Sequence, residues 1–170
     1  DTEKAQICLS YVYGKDDKQS TLLTCKAVSS FLYDVPINAY YTVFMDAIGD
    51  IVDAVDGVEL IIPDDMTAAN PKWKKGKKVM LNKDDALNFI QYRGETHAPR
   101  LERQKLFIDN FVTQAKKAFI KDVLLPVNLY KSIAENSVTD IELSEVSYLA
   151  SQMANARFTM HSITGKTGFD

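Results

Sequence analysis

The chain has 170 residues, of which 46% are hydrophobic and 25% are charged, and its net charge is −3. This length supports one domain with a substantial core, and the acidity argues against a general nucleic-acid binder. The chain lacks an apolar run approaching the roughly 20 residues that a membrane-spanning helix needs. Cys8 and Cys25 fit either one disulfide or two free thiols, and two histidines without a Cys/His cluster argue against a zinc site.

The first 62 residues predict alternating helices and strands. In chain order these are a helix or buried strand ending at Gly14, a helix over 21–34, a strand over 37–44, a helix over 45–57 and a strand over 58–62. Pro36 ends the first long helix, and Gly57 closes the next one as a C-cap. The strand–helix–strand order with short connections predicts a βαβ unit, hence a sheet covered by helices.

The remainder of the chain is predicted to be mostly helical. After a polar hairpin over 63–81, helices are expected over 83–92, 100–121, 129–134 and 143–155, followed by a strand over 156–165. Asp84 and Asp85 favour a helix start, because acids in the first turn complement the helix dipole. Pro126 is expected to break the long helix before the next one begins.

Three of the four arginines, Arg93, Arg100 and Arg103, fall within the stretch FIQYRGETHAPRLERQKLF, residues 89–107. Pro99 suits the first turn of a helix, which places Arg100 and Arg103 near its N-terminus, where arginine opposes the helix dipole. An anion bound at this helix start would offset the cost, and guanidinium forks suit a phosphate. The alternative is a solvated helix start with glutamate partners, and both interpretations stay open on physical grounds.

Other charged segments have structural explanations that compete with functional ones. The segment KWKKGKK, residues 72–78, fits a basic hairpin that meets a membrane surface or a polyanion, or a solvated hairpin whose lysines protect a strand edge. The pairs Asp64–Asp65 and Asp84–Asp85 could bind a metal, but we favour structural roles for both. His97 could shuttle a proton, although an incidental loop position is the simpler interpretation.

Several motifs resemble the LytR-CpsA-Psr family of cell-wall glycopolymer transferases. The stretches that carry the resemblance are AQICLSYVYG, AVSSFLYDVPINAYYTV, MDAIGDIVDAVDGVELIIPDDM and, most specifically, LNKDDALNFIQYRGETHAPRLERQKLF. The resemblance implies an α/β fold, a three-layer αβα sandwich with a mixed central sheet, and one domain over residues 1–170 that is incomplete at both ends. It also implies an extracytoplasmic location, with membrane anchoring through an N-terminal helix absent from this chain.

By resemblance, such a protein moves an anionic glycopolymer, such as teichoic acid or capsule, from a polyprenyl-pyrophosphate carrier to peptidoglycan with the help of Mg²⁺. Arg93, Arg100, Arg103 and Gln104 match the residues expected to bind the pyrophosphate, with Arg93 and Arg100 the catalytic candidates, and an apolar cavity would receive the lipid. Gln91 departs from the family pattern, which usually has arginine there. The aspartates expected to hold the metal have no counterpart, so no metal ligand is assigned in this chain.

Three functional hypotheses follow from the sequence. The first is a phosphotransferase whose arginines stabilise the charge of the transferring phosphoryl group. The second is a binding module that keeps a polyprenyl-phosphate or glycan pocket without catalysis, which Gln91 favours. The third, binding of nucleic acid through residues 72–78 and the arginines, is disfavoured by the acidic composition and the lack of a DNA-reading motif.

Overall fold

The structure, a computed structural model, describes residues 6–93, 98–153, 156, 157 and 159. The elements among these residues are, in order, a 3₁₀ helix Ile7–Tyr13, α1 Asp17–Phe31, β1 Tyr41–Val43, α2 Ala47–Ala54, β2 Val58–Ile61, β3 Lys78–Leu81, α3 Lys83–Gln91, α4 Ala98–Lys121, α5 Leu125–Ser132, a 3₁₀ helix Ala134–Asn136, β4 Ser137–Thr139 and α6 Leu143–Met153. The mixture of helices and short strands agrees with the α/β class predicted from the sequence.

The described strands form two antiparallel pairs. In one pair Tyr41 of β1 lies opposite Thr139 of β4, and in the other Val58 of β2 lies opposite Leu81 of β3. The hairpin predicted over 63–81 is therefore confirmed in outline, with β3 as its returning strand. The βαβ prediction is wrong in its pairing, because the strands on either side of α2 each pair with another strand rather than with each other.

Most of the predicted helices are present with shifted ends. Asp16 accepts a hydrogen bond from the backbone N–H of Gln19 at 2.7 Å, so α1 begins before the predicted residue 21. Pro126 lies in the first turn of α5, where its missing N–H costs nothing, rather than in a break before a helix near residue 129. Gly57 adopts a positive φ of 90° and donates to Val52 O at 2.9 Å, as predicted for a residue that closes α2.

Two further predictions concern the last predicted strand and the two cysteines. The strand over 156–165 lies largely outside the described residues. Cys8 is exposed and Cys25 is partly buried, and both are free thiols.

One hydrophobic core unites the β2–β3 hairpin with α2, α3 and α4. Its buried side chains are Val52, Val58, Leu60, Ile62, Met66, Trp73, Leu81, Ala86, Phe89 and Phe107. Trp73 is 2% exposed, and its ring meets that of Phe89 edge to face with centroids 5.6 Å apart. Because α3 and α4 both contribute to this core, the core determines how the two helices lie against each other.

Candidate functional site

The sequence around α3 determines where the arginines lie. Asn82 caps α3 by accepting hydrogen bonds from the N–H groups of Asp84 at 3.1 Å and Asp85 at 2.9 Å. Ala86 and Phe89 are completely buried on the inner face of the helix. The end of α3 is consequently fixed, and Arg93 follows two residues beyond it with an exposed side chain.

We call Arg93, Arg100, Arg103 and Gln104 the arginine cluster. Arg100, Arg103 and Gln104 lie in the first two turns of α4, where residues three and four apart share a side of the helix. Gln91, the residue that departs from the family pattern, is exposed and is the last residue of α3. Glu95 and His97, in the loop between the helices, lie outside the described residues.

Arg103 holds the end of α3. Its side chain is only 2% exposed, and Nη2 donates to the backbone oxygen of Tyr92 at 2.5 Å. The guanidinium carbon also lies 5.4 Å from the centroid of the Tyr92 ring, which is a cation–π distance. The C-terminal end of a helix carries partial negative charge, so this cation is favourably placed relative to α3 even though it opposes the dipole of α4.

Gln104 makes a similar contact close by in α3. Its Nε2 donates to Ile90 O at 3.4 Å, a long hydrogen bond to a carbonyl near the end of the helix. Arg103 and Gln104 thus both donate to carbonyls at the end of α3. These contacts indicate that the two residues position the segment carrying Arg93, a role that the sequence did not reveal.

Arg100 has a different environment. Its side chain is partly exposed, yet its Nε is buried and has no hydrogen-bond partner among the described residues. The Nε of Arg103 is in the same situation. A buried guanidinium N–H without an acceptor is costly, since such a group loses its hydration without compensation. An oxyanion at the start of α4 would supply the missing acceptor.

An apolar cavity of about 350 Å³ lies further along α4. Its walls come from the second half of α4, from α5 and α6, and from neighbouring residues. The lining residues include Tyr41, Val55, Phe111, Ala115, Phe119, Leu125, Leu129, Tyr130, Ile141, Val146 and Leu149. This volume falls within the range of about 300–1,000 Å³ common for small-molecule pockets. The sequence signal that could have revealed it is the spacing of Phe111, Ala115 and Phe119, which puts them on one side of the helix.

The polar atoms in the cavity wall are turned to other partners. Tyr130 donates its hydroxyl to Ile141 O at 2.8 Å, and the Tyr41 hydroxyl accepts from Ser137 Oγ at 3.3 Å. The two tyrosine rings meet edge to face with centroids 5.9 Å apart. Because the hydroxyls are satisfied elsewhere, the rings present carbon surface, and the cavity suits a hydrocarbon chain.

The described residues do not offer a magnesium site. They contain no group of three His, Cys, Asp or Glu side chains that could hold a metal ion. Asp65 accepts two hydrogen bonds from Thr67, and Asp85 accepts one from Asn70 at 3.2 Å, so these carboxylates have structural partners. The carboxylate donors that Mg²⁺ prefers are therefore not gathered among these residues.

Comparison with known proteins identifies the relatives of this chain. Residues 1–168 match the model of the LytR_cpsA_psr family. A curated relative from Bacillus subtilis (strain 168), polyisoprenyl-teichoic acid–peptidoglycan teichoic acid transferase TagV, is 26% identical over 173 residues. That alignment covers 96% of this chain but 42% of the relative, so the chain spans less than half the length of the protein it matches.

Solved structures share the fold. The crystal structure of B. subtilis TagV matches with a TM-score of 0.68 and 26% identity, covering 91% of this chain and 59% of that one. The Lin1025 protein of Listeria innocua matches with a TM-score of 0.68 and 25% identity, covering 88% of this chain and 61% of that one. These matches confirm the predicted α/β fold class, and they show that the chain shares the architecture of these solved structures. Of the part of the chain that the structure describes, no helix is long and apolar enough to cross a membrane.

Proposed function

The chain belongs to the LytR-CpsA-Psr family, and we propose that it takes part in moving an anionic glycopolymer from a polyprenyl-pyrophosphate carrier to peptidoglycan outside the cytoplasmic membrane. One observation carries this proposal. A single helix, α4, bears cationic side chains in its first two turns and lines an apolar cavity with its later turns. A polyprenyl pyrophosphate has the same two parts, a charged head and a hydrocarbon tail.

The spacing along α4 supports such a ligand. At 1.5 Å per residue, the eight residues from Arg103 to Phe111 span about 12 Å, and Phe119 lies about 12 Å further on. Phe107 and Phe111 stack with centroids 6.2 Å apart between the arginines and the cavity. A ligand whose phosphates lie at the arginine cluster could therefore extend its tail along the same helix into the cavity.

The residues of the cluster have distinct proposed roles. Arg93 and Arg100 grip the pyrophosphate, because guanidinium groups bind phosphate oxygens through two parallel hydrogen bonds. Arg103 and Gln104, which the sequence led us to expect at the pyrophosphate as well, contribute by fixing the end of α3. In the reaction, a hydroxyl of the acceptor sugar attacks the phosphorus next to the glycopolymer. The new P–O bond forms as the P–O bond to the polyprenyl phosphate breaks, the polyprenyl phosphate departs with the electron pair, and the proton of the hydroxyl passes to water.

The described residues accelerate this step by electrostatics. Negative charge builds up on the leaving polyprenyl phosphate as the P–O bond breaks, and fixed guanidinium groups stabilise that charge without having to reorganise. The apolar cavity contributes by holding the tail, which orients the pyrophosphate toward the arginines.

The test measures binding of geranylgeranyl pyrophosphate to the purified protein. Arg100→Ala removes charge-assisted hydrogen bonds of about 1.5–3 kcal/mol, and should weaken binding about 10- to 150-fold. Lys105→Ala, which removes an exposed cation from the same helix, is the matched control and should leave the affinity within about twofold. An unchanged affinity for Arg100→Ala would remove the arginine cluster from the proposed site.

A second variant separates tail binding from head binding. Ala115→Phe places a ring in the apolar cavity, so it should weaken binding of geranylgeranyl pyrophosphate while leaving inorganic pyrophosphate unaffected. Equal affinity of the parent and the variant for the prenylated ligand would place the tail elsewhere.

The alternative function is a binding module without turnover. Gln91 favours it, because a neutral side chain at the end of α3 removes one positive charge that the family pattern has beside the phosphates. Purified protein that binds polyprenyl pyrophosphate but transfers no glycopolymer in the presence of Mg²⁺ would establish the binding module. Transfer that disappears in Arg100→Ala would establish the enzyme.

A further inference from the structure

The segment Lys72–Lys78, here called the lysine hairpin, is a rigid cationic surface. Its five lysines are exposed, whereas Trp73 between them is buried at 2% exposure. Backbone bonds fix the tip on both sides: Met66 N–H donates to Trp73 O at 2.9 Å, and Gly76 N–H donates to Ile62 O at 2.8 Å. The chain direction of the tip is thus determined by the core, and the lysine side chains stand outward from it.

Most of these cations have no carboxylate partner within ion-pair distance among the described residues. Lys78 pairs with Glu59 at 2.8 Å. For the other four lysines, Lys72, Lys74, Lys75 and Lys77, the described part of the chain provides no carboxylate oxygen within 4.0 Å. In a protein whose net charge is −3, these four lysines concentrate positive charge at one tip, with Asp65 as a carboxylate close enough to Lys74 for their charges to interact.

The lysine hairpin and the arginine cluster are both anchored to α3. Trp73 packs on Phe89, and Arg103 holds Tyr92 three residues later. The hairpin is thus anchored to α3 through Trp73, and the arginine cluster is anchored to the end of the same helix through Arg103. A molecule with several phosphates could contact the arginines with one of them and the lysines with others.

We propose that the lysine hairpin binds the phosphodiester backbone of the anionic glycopolymer and so extends the arginine cluster into a longer polyanion site. This proposal rests on the proposed function, which places the carrier-linked end of the polymer at the arginines. The buried Trp73 and the lack of an exposed apolar side chain within residues 72–78 favour a soluble polyanion over a membrane surface. An inserting hairpin would present its aromatic residue to the lipid.

The experiment measures the affinity of the purified protein for poly(glycerol phosphate) of defined length at two salt concentrations. The test variant combines Lys72→Gln, Lys74→Gln, Lys75→Gln and Lys77→Gln. The control variant makes the same change of charge at exposed lysines elsewhere, Lys15→Gln, Lys18→Gln, Lys121→Gln and Lys131→Gln. Thermal melts verify that both variants fold, which is expected because all eight side chains are exposed.

We expect the hairpin variant to bind the polymer at least about tenfold more weakly and the control variant to bind within about threefold of the parent. The dependence of log affinity on log salt should also become shallower by about 0.7 for each phosphate that a lysine no longer neutralises. Equal weakening by the two variants would overturn the proposal, because it would reduce the effect to net charge. If the hairpin variant no longer binds phosphatidylglycerol vesicles but keeps the parent's affinity for the polymer, the proposal is overturned in favour of a membrane surface.

Two further ligands separate this proposal from others. Geranylgeranyl pyrophosphate should bind the hairpin variant as tightly as the parent, so failure of the parent to bind it would count against the proposed function alone. Single-stranded DNA with the same number of phosphates should bind the parent more weakly than the polymer does. Equal affinities would overturn the assignment to a glycopolymer.

Discussion

Replacing Arg103 tests whether a buried charge at the end of α3 serves stability or the geometry of the site. The guanidinium is 2% exposed, donates to Tyr92 O at 2.5 Å and lies over the Tyr92 ring. Arg103→Ala removes a charge-assisted hydrogen bond of about 1.5–3 kcal/mol and a cation–π contact of about 0.5–2 kcal/mol, and it leaves a cavity. Relief of the desolvation of the charge offsets part of this loss.

The net cost of Arg103→Ala is expected to be about 2–4 kcal/mol, measured as the change in the free energy of unfolding in urea. In a protein of this size that corresponds to a fall in melting temperature of about 2–4 °C per kcal/mol. Arg103→Met fills most of the volume with an apolar chain, and replacing a buried charge in this way is often neutral. The methionine variant should therefore lie within about 1 kcal/mol of the parent.

Binding then separates the two roles of Arg103. The methionine variant keeps the core but no longer holds the Tyr92 carbonyl, so Arg93 loses its fixed position and affinity for geranylgeranyl pyrophosphate should fall about tenfold. Parental affinity in a stable Arg103→Met variant would refute the positioning role. A loss of stability equal to that of the alanine variant would refute the argument that desolvation of the charge offsets its contacts.

Two further predictions follow from local hydrogen bonds. Asp65 accepts from the Thr67 hydroxyl at 2.6 Å and from the Thr67 N–H at 3.0 Å, which lowers the pKa of this carboxyl below its usual value of 3.8. Because the pKa is lower in the folded state, the contribution to stability is present above about pH 4 and is lost as the pH falls through the folded pKa. Thr67→Val should lower the urea midpoint at neutral pH, and its difference from the parent should shrink as the pH falls below the folded pKa of Asp65. A difference that persists in acid would contradict this assignment. Asn82→Ala removes the cap of α3 and should lower the stability measured in thermal melts by about 1 kcal/mol. Asn82→Asp keeps a capping oxygen and should retain most of the stability. Equal losses of stability in the two variants would show that the capping oxygen does not stabilise the helix.

The helices could be predicted because their determinants are local, and with them the placement of Arg93 just after α3 and of Arg100 and Arg103 at the start of α4. Apolar spacing and capping residues mark α3 and α4, and only a short loop separates the two helices. Any sequence that folds these helices must bring Arg93 and Arg100 to the same end of the pair. The hydrogen bond from Arg103 to the Tyr92 carbonyl could not be predicted, because it depends on how α4 packs against α3.

The strand pairing could not be predicted, because it depends on contacts between distant segments. The aromatic and β-branched residues 37–44 predict a strand, but only Tyr41–Val43 pair, since their partner β4 has only three residues. Periodicity does not reveal a partner nearly 100 residues away, and β4 is too short to be recognised from its sequence. The βαβ prediction failed for the same reason, as each strand beside α2 found a partner later in the chain.

The three arginines near the start of α4 raise different physical questions. Arg103 opposes the dipole of its own helix, but its contact with the end of α3 accounts for its charge. Arg93 is exposed, so hydration satisfies it. Arg100 has neither compensation: its Nε is buried, and the described residues provide no acceptor for it. The Nε of Arg103 lacks an acceptor as well, but Arg103 already donates through Nη2 to Tyr92 O, whereas Arg100 makes no hydrogen bond of this kind among the described residues. Arg100 is therefore the most direct test of whether the cluster binds a phosphate.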